Sequence, residues 1–316
     1  MPSVHVVKPG LLTTVQDRGR WGFQALGVSV AGPMDPVSHR IANAMAGNAV
    51  DAAALEVTLV GPELVFDDER IVAVAGAEFE IAIDRDPVDA TSSFVVPAGA
   101  TLRFGRRVRG TRAYIAVAGG IDTPPVLGSR ATHLPSAMGG FGGRALATGD
   151  RLSCGAARPR PHASAHAHSA GVPNTVPDGR AILRVLPGPQ SDRFAAGALD
   201  ALQSAPYRIA SSSNRMGFRL SGPALAHTRG ADVISDATPL GVVQVPASGQ
   251  PILLMADRQT SGGYPKIATV ITADIGLAGQ LGPGDTIAFA VCSPGEAMTA
   301  LIGQEQHLMS VEAGRR

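Results

Sequence analysis

The stretch PILLMADRQTSGGYPKIATVITADIG (251–276) sets two apolar runs, 251–256 and 267–273, on either side of a polar, glycine-bearing decapeptide, 257–266. Each run is short, aliphatic and bounded by turn-forming residues, which reads as strand rather than helix. A hairpin between two strands needs only about two to five turn residues. This one carries Asp, Arg, Gln, Thr, Ser, Tyr and one of the chain's two lysines. So polar a set has no purpose as a mere turn, and it reads as a ligand-binding loop.

Elsewhere in the chain similar segments recur at short spacing: SVHVV (3–7), IVAVAG (71–76), FEIAI (79–83), AYIAVAG (113–119), AILRVL (181–186), GVVQV (241–245) and TIAFAV (286–291). Glycine, proline and aspartate separate them, the grammar of barrels and sandwiches. The expected fold class is therefore mostly β with a few short helices. Three helices are expected. Asp35 caps the first, Pro36 suits its first position, Gly47 closes it, and Val37, Ile41, Ala44 and Met45 form its buried stripe. The second runs from near Ser191 to about Gln203. The third opens on a Ser293-x-x-Glu296 capping box and reaches about Met309.

The segment AARPRPHASAHAHSAGVPNTVPDGR (156–180) lacks apolar periodicity and reads as a linker or surface loop. It divides an N-terminal β domain, 1–155, from a C-terminal one, 181–316. Related phrases in the two halves, QDRGRWGF (16–23) and SNRMGFRL (213–220), fit either a duplicated barrel or shared turn grammar.

Composition excludes several functions. The 316 residues carry a net charge of +1 and 45% hydrophobic residues, with no electrostatic call for nucleic acid or an anionic membrane. No signal peptide or membrane-length apolar run is evident, which leads us to expect a cytoplasmic protein. With Lys8 and Lys266 as the only lysines, no Gly-Lys-Ser/Thr phosphate loop exists. SPGEAMTAL (293–301) resembles a biotin-attachment site, but Thr299 stands where the acceptor lysine belongs. His162, His166 and His168 have no acidic or thiol partner nearby, and no metal site is expected.

Three polar clusters remain. Gln16, Asp17, Arg18 and Arg20 lie between glycines, a pattern that a surface turn also explains, and Asn43 follows on the first helix. Asn214, Arg215 and Arg219 surround Gly217, where arginine forks suit a carboxylate or phosphate and solvated loop arginines are the competing account. The third is the decapeptide itself: Asp257, Gln259, Thr260, Ser261, Tyr264 and Lys266, with Gln244 from a neighbouring strand. Gly262 and Gly263 are expected to supply positive φ and close approach to a ligand.

Ten phrases occur in order and together resemble one family. They include GLLTTVQDRGRWG (10–22), GPMDPVSHRIANAMAGN (32–48), LPGPQSDRF (186–194), NRMGFRLSGP (214–223), GVVQVPASGQPI (241–252) and DRQTSGGYPKIATVITADI (257–275). The chain is similar to the biotin-dependent carboxyltransferase-like family called allophanate hydrolase subunit 2. That family embraces the C subunit of 5-oxoprolinase, the regulator KipA and part of urea carboxylase.

The resemblance implies cyclophilin-like barrels, one in each domain, and association with a subunit-B (KipI-like) protein and a subunit-A protein of LamB/YcsF type. It implies ATP-dependent opening of 5-oxo-L-proline to L-glutamate by the complex, the chain being inactive alone. On that reading Asp257 and Lys266 are catalytic, and Arg215, Arg219 and Lys266 hold anionic groups. Asn214, Gln244, Gln259, Thr260, Gly262, Gly263, Tyr264, Gln16, Arg18 and Asn43 bind substrate. Two alternatives stand beside it: a carboxyltransferase acting on urea or a related amide with biotin supplied in trans, and a KipA-like antagonist of a kinase inhibitor.

Overall fold

The computed structural model describes residues 3–156 and 177–313, so nearly all of the expected 156–180 linker, with its three histidines, lies outside the described residues. Strands dominate. The described residues form two compact units that interleave along the chain. The first takes 3–20, 31–156 and 305–313; the second takes 21–30 and 177–304. The sequential division expected above thus differs at 21–30 and at the C-terminal helix. Specific bonds account for both: Ser29 Oγ donates to the carbonyl of Arg258 at 2.9 Å, and Arg40 pairs with Glu305 and Glu312.

In the first unit a nine-stranded sheet is built around two long antiparallel strands, Arg70–Ile83 and Thr101–Val117. Period-two alternation sends their side chains to opposite faces. Ala113, Ile115 and Val117 enter one core with Val72, Val74, Leu55 and Val57. Tyr114 and Ala116, with Ala73 and Ala54, face a second cluster formed by helix Pro36–Ala46. Both faces are covered there, which is why the end of that strand is continuously buried. The helix is built as its sequence implies. Asp35 accepts from the Val37 and Ser38 amides at 3.1 Å, and Gly47 ends it at φ 77°. Val37, Ile41, Ala44 and Met45 are all buried.

The second unit is a closed seven-stranded barrel in the order Arg180–Pro187, Lys266–Val270, Val242–Gln244, Ile252–Leu254, Gly217–Ser221, Tyr207–Ile209 and Thr286–Val291. Parallel pairing of the last strand with the first closes it. Leu183, Val185, Phe218, Leu220, Ile287 and Phe289 are buried, while the alternating Ile182 and Arg219 are exposed. The helix expected from Ser191 breaks into a 3-10 turn, Ser191–Arg193, and helix Ala198–Ser204, because Gly197 between them adopts φ 82°. The capping box forms: Ser293 Oγ accepts from the Glu296 amide at 3.2 Å and Glu296 returns the bond at 2.7 Å. That helix is longer than expected, running Pro294–Ala313. A short helix, Ile275–Gly279, was not foreseen. Among the described residues no helix is long and apolar enough to cross a membrane.

Candidate functional site

The decapeptide does not close a hairpin. Ile252–Leu254 and Lys266–Val270 each pair antiparallel with Val242–Gln244, which lies between them. The chain must therefore cross over a strand, and residues 255–265 make that crossing. The crossing segment makes its own small ladder, Ser261–Gly262 against Asp236–Ala237. Beneath it, the pairing of Val242–Gln244 with Lys266–Val270 shifts register between Val243 and Gln244, an irregularity that re-aims side chains.

Two ion pairs fix the ends of the loop. Arg215 holds Asp257 bidentately, Nε to Oδ2 and Nη2 to Oδ1, both at 3.0 Å, and both side chains are buried. The main chains join as well, the Asp257 amide donating to the Arg215 carbonyl at 2.8 Å. Both carboxylate oxygens of Asp257 are thus engaged by Arg215, and the pair pins the start of the loop. At the other end the buried Lys266 ammonium donates to Asp236 Oδ2 at 2.9 Å. This bond keeps the Asp236 carboxyl below its ordinary range. Arg219 does not join the cluster. It lies on the outward face of its strand, because Phe218 and Leu220 take the inward positions. Asn214 is exposed and its Oδ1 accepts from the Met216 amide at 2.8 Å, closing a turn.

Amide groups line the middle of the loop. Buried Gln244 donates to the Tyr264 carbonyl at 3.3 Å and accepts from Gln259 Nε2 at 3.4 Å, a long bond that a ligand can replace. Thr238 ties the backbone: its amide donates to the Thr260 carbonyl at 3.0 Å and its hydroxyl donates to the Gln259 carbonyl. Tyr264 is exposed. Neither Gly262 nor Gly263 has positive φ, contrary to expectation. Gly262 instead leaves room for Gln244, whose Nε2 would lie 2.7 Å from a Cβ there.

Gln16, Arg18 and Asn43 belong to the first unit. Gln16 Nε2 donates to Thr14 Oγ1 and to the Thr132 carbonyl, both at 3.1 Å, and its Oε1 is buried without a donor. Asn43 donates to the Ala52 carbonyl and accepts from Asn48, closing the end of helix Pro36–Ala46. Arg18 is exposed. Beside them is a buried network that sequence reasoning missed. Tyr114 donates its hydroxyl to Glu56 at 2.7 Å and accepts from the Asp35 amide at 2.8 Å, while the Met34 amide also donates to Glu56. Burial pushes Tyr114 well above its ordinary value and His39 below its own. Neutral His39 donates Nε2–H to the Gln16 carbonyl, the tautomer that a carbonyl acceptor demands.

Arg258, Thr238, Asp236 and Ser29 were also passed over in the second unit. Arg258 lies inside the loop phrase; the others sit far from it in sequence, and only pairing brings them to it.

The carboxyltransferase domain, subdomain A and B, matches residues 26–291. The chain is 41% identical to the 5-oxoprolinase C subunit of Escherichia coli over 96% of both proteins. It is 32% identical to the urea amidolyase of Lachancea kluyveri, over 99% of this chain but 18% of that one. In fold it matches the crystal structure of TTHA0988 with a TM-score of 0.81 at 40% identity, covering 92% of this chain and 55% of that one. It matches the K. lactis urea amidolyase at 0.90 and 32% identity, covering 98% of this chain and 20% of that one. The chain thus spans about half of the TTHA0988 chain and a fifth of the urea amidolyase. With agreement of sequence and fold along nearly its whole length, the chain belongs to the family of carboxyltransferase domains made of subdomains A and B.

Proposed function

We propose that this chain is the C subunit of an ATP-dependent 5-oxoprolinase, opening 5-oxo-L-proline to L-glutamate together with a subunit-B-type and a LamB/YcsF-type protein in the cytoplasm. The observation that carries this reading is the 41% identity to a 5-oxoprolinase C subunit over 96% of both chains. The loop suits a small amide. Gln259 is exposed and weakly held, and Gln244 is anchored below it. Gln244, Gln259, Thr260, Gly262, Gly263 and Tyr264 form the lactam-facing surface, with the Arg215–Asp257 and Lys266–Asp236 pairs holding its ends.

A lactam is unreactive toward water until its oxygen carries a better-leaving group, which ATP supplies when bound to the complex. The residues here do not fit the nucleotide itself. Arg215 and Lys266 are committed to carboxylates, and a triphosphate needs several cations that this loop does not hold. We therefore place ATP on a partner protein and assign this chain the orientation of the lactam.

The test mixes the chain with its two partners and follows glutamate release from 5-oxo-L-proline with and without ATP. ATP-dependent glutamate that disappears when this chain is left out is the expected result; a well-formed complex without turnover sinks the reading. The urea amidolyase relatives favour a second reading, transfer of a carboxyl group to an amide from biotin carried by another protein. Urea-dependent turnover with a biotinylated carrier, and none with 5-oxo-L-proline, would establish it.

A further inference from the structure

Counting charges around the crossing loop leaves one cation over. Arg215 is matched by Asp257 and Lys266 by Asp236. Arg258 is matched by nothing: it is only 8% exposed, and among the described residues no carboxylate comes within ion-pair distance of it. Its guanidinium donates to two main-chain carbonyls only, Nε to Thr238 at 2.8 Å and Nη1 to Met255 at 3.5 Å. Two carbonyls are a job for a neutral amide, which would do it without the cost of desolvating a full charge. Burial draws the Arg258 guanidinium down to about 10. Its position is nevertheless well fixed. Ser29 Oγ holds its carbonyl, its amide donates to the Met255 carbonyl at 3.1 Å, and the neighbouring Asp257 is clamped by Arg215. A charge that the fold does not need, held rigidly in a loop built around amide groups, has the character of a ligand anchor.

We propose that Arg258 is the anion anchor of this site, its guanidinium taking the carboxylate of a small monoanion. Resting on the function proposed above, that carboxylate is the one on 5-oxo-L-proline. One surplus charge selects a monoanion over a polyphosphate, and the planar fork suits a carboxylate. The anchor fixes the end of the substrate away from the scissile amide, leaving the lactam to Gln259 and the backbone.

Calorimetric titration of the full chain with 5-oxo-L-proline and with 2-pyrrolidinone, the same lactam without a carboxylate, tests this. The wild type is expected to favour 5-oxo-L-proline by about tenfold or more, the worth of a charge-assisted pair. Arg258→Gln, which keeps donors for the two carbonyls, should erase that preference while leaving 2-pyrrolidinone binding unchanged. Should that variant melt below the assay temperature, Arg258→Lys decides: charge without the fork should lower affinity for 5-oxo-L-proline alone. A wild type without preference, or a variant that keeps the full preference, overturns the anchor. Glutamate release by the assembled complex is read separately. Its absence with the carboxylate preference intact removes the lactamase reading and leaves the anchor standing.

Discussion

The Arg215–Asp257 pair shows residues singled out for chemistry bound to each other at the start of the loop. Both groups are buried, and each repays the desolvation of the other. Arg215→Ala should therefore cost about 3–5 kcal/mol in chemical denaturation, because it strands a buried carboxylate. The double replacement Arg215→Met/Asp257→Leu should recover most of that loss. A single variant costing under about 1 kcal/mol would show the pair to be solvated. At this scale the sequence singled out the loop by its polar residues but could not show how they pair. Asp257, Arg215 and Lys266 stood out by type, yet type does not reveal which cation already has an anion. Arg258 sat unremarked inside the same phrase because its distinction is the lack of a counter-charge, a property that exists only once the chain is folded.

Elements were legible where their signals are local. Helix Pro36–Ala46 is marked by its cap, its proline and its terminal glycine, and it forms within those marks. The barrel strands were visible as apolar runs, but their neighbours were not. Pairing is non-local, and the insertion of Val242–Gln244 between the runs 251–256 and 267–273 leaves no trace at either turn. The same helix carries a pH effect through His39, which is docked neutral against the Gln16 carbonyl. Above pH 6.5 neither folded nor unfolded chain protonates this ring, and it is without influence. Below 6.5 the unfolded chain takes up a proton that the folded site refuses, so stability falls as pH falls. The decline should approach about 1.4 kcal/mol per pH unit at most. Melting curves between pH 6.5 and 5 should show it in the wild type and not in His39→Gln, whose amide retains a donor for Gln16; identical slopes would refute the assignment.

For the chain taken entire, the sequence conveyed the mostly-β character but not the interleaving of the two compact units. Nothing near residue 308 announces that Leu308 packs with Val37, Ile41 and Met45, or that Glu305 and Glu312 answer Arg40. Leu308→Ala should cost about 2–5 kcal/mol, as a core leucine truncation does, and the loss should register in the first unit. Amide exchange in helix Pro36–Ala46 is the measurement: faster exchange there is expected, and an unchanged helix would mean the C-terminal contact is incidental. The same contact sets an order on biosynthesis. The ribosome makes most of the first unit before most of the second, yet the first cannot close until residues 305–313 have followed the whole of the second, so the half that is begun first is completed after the other.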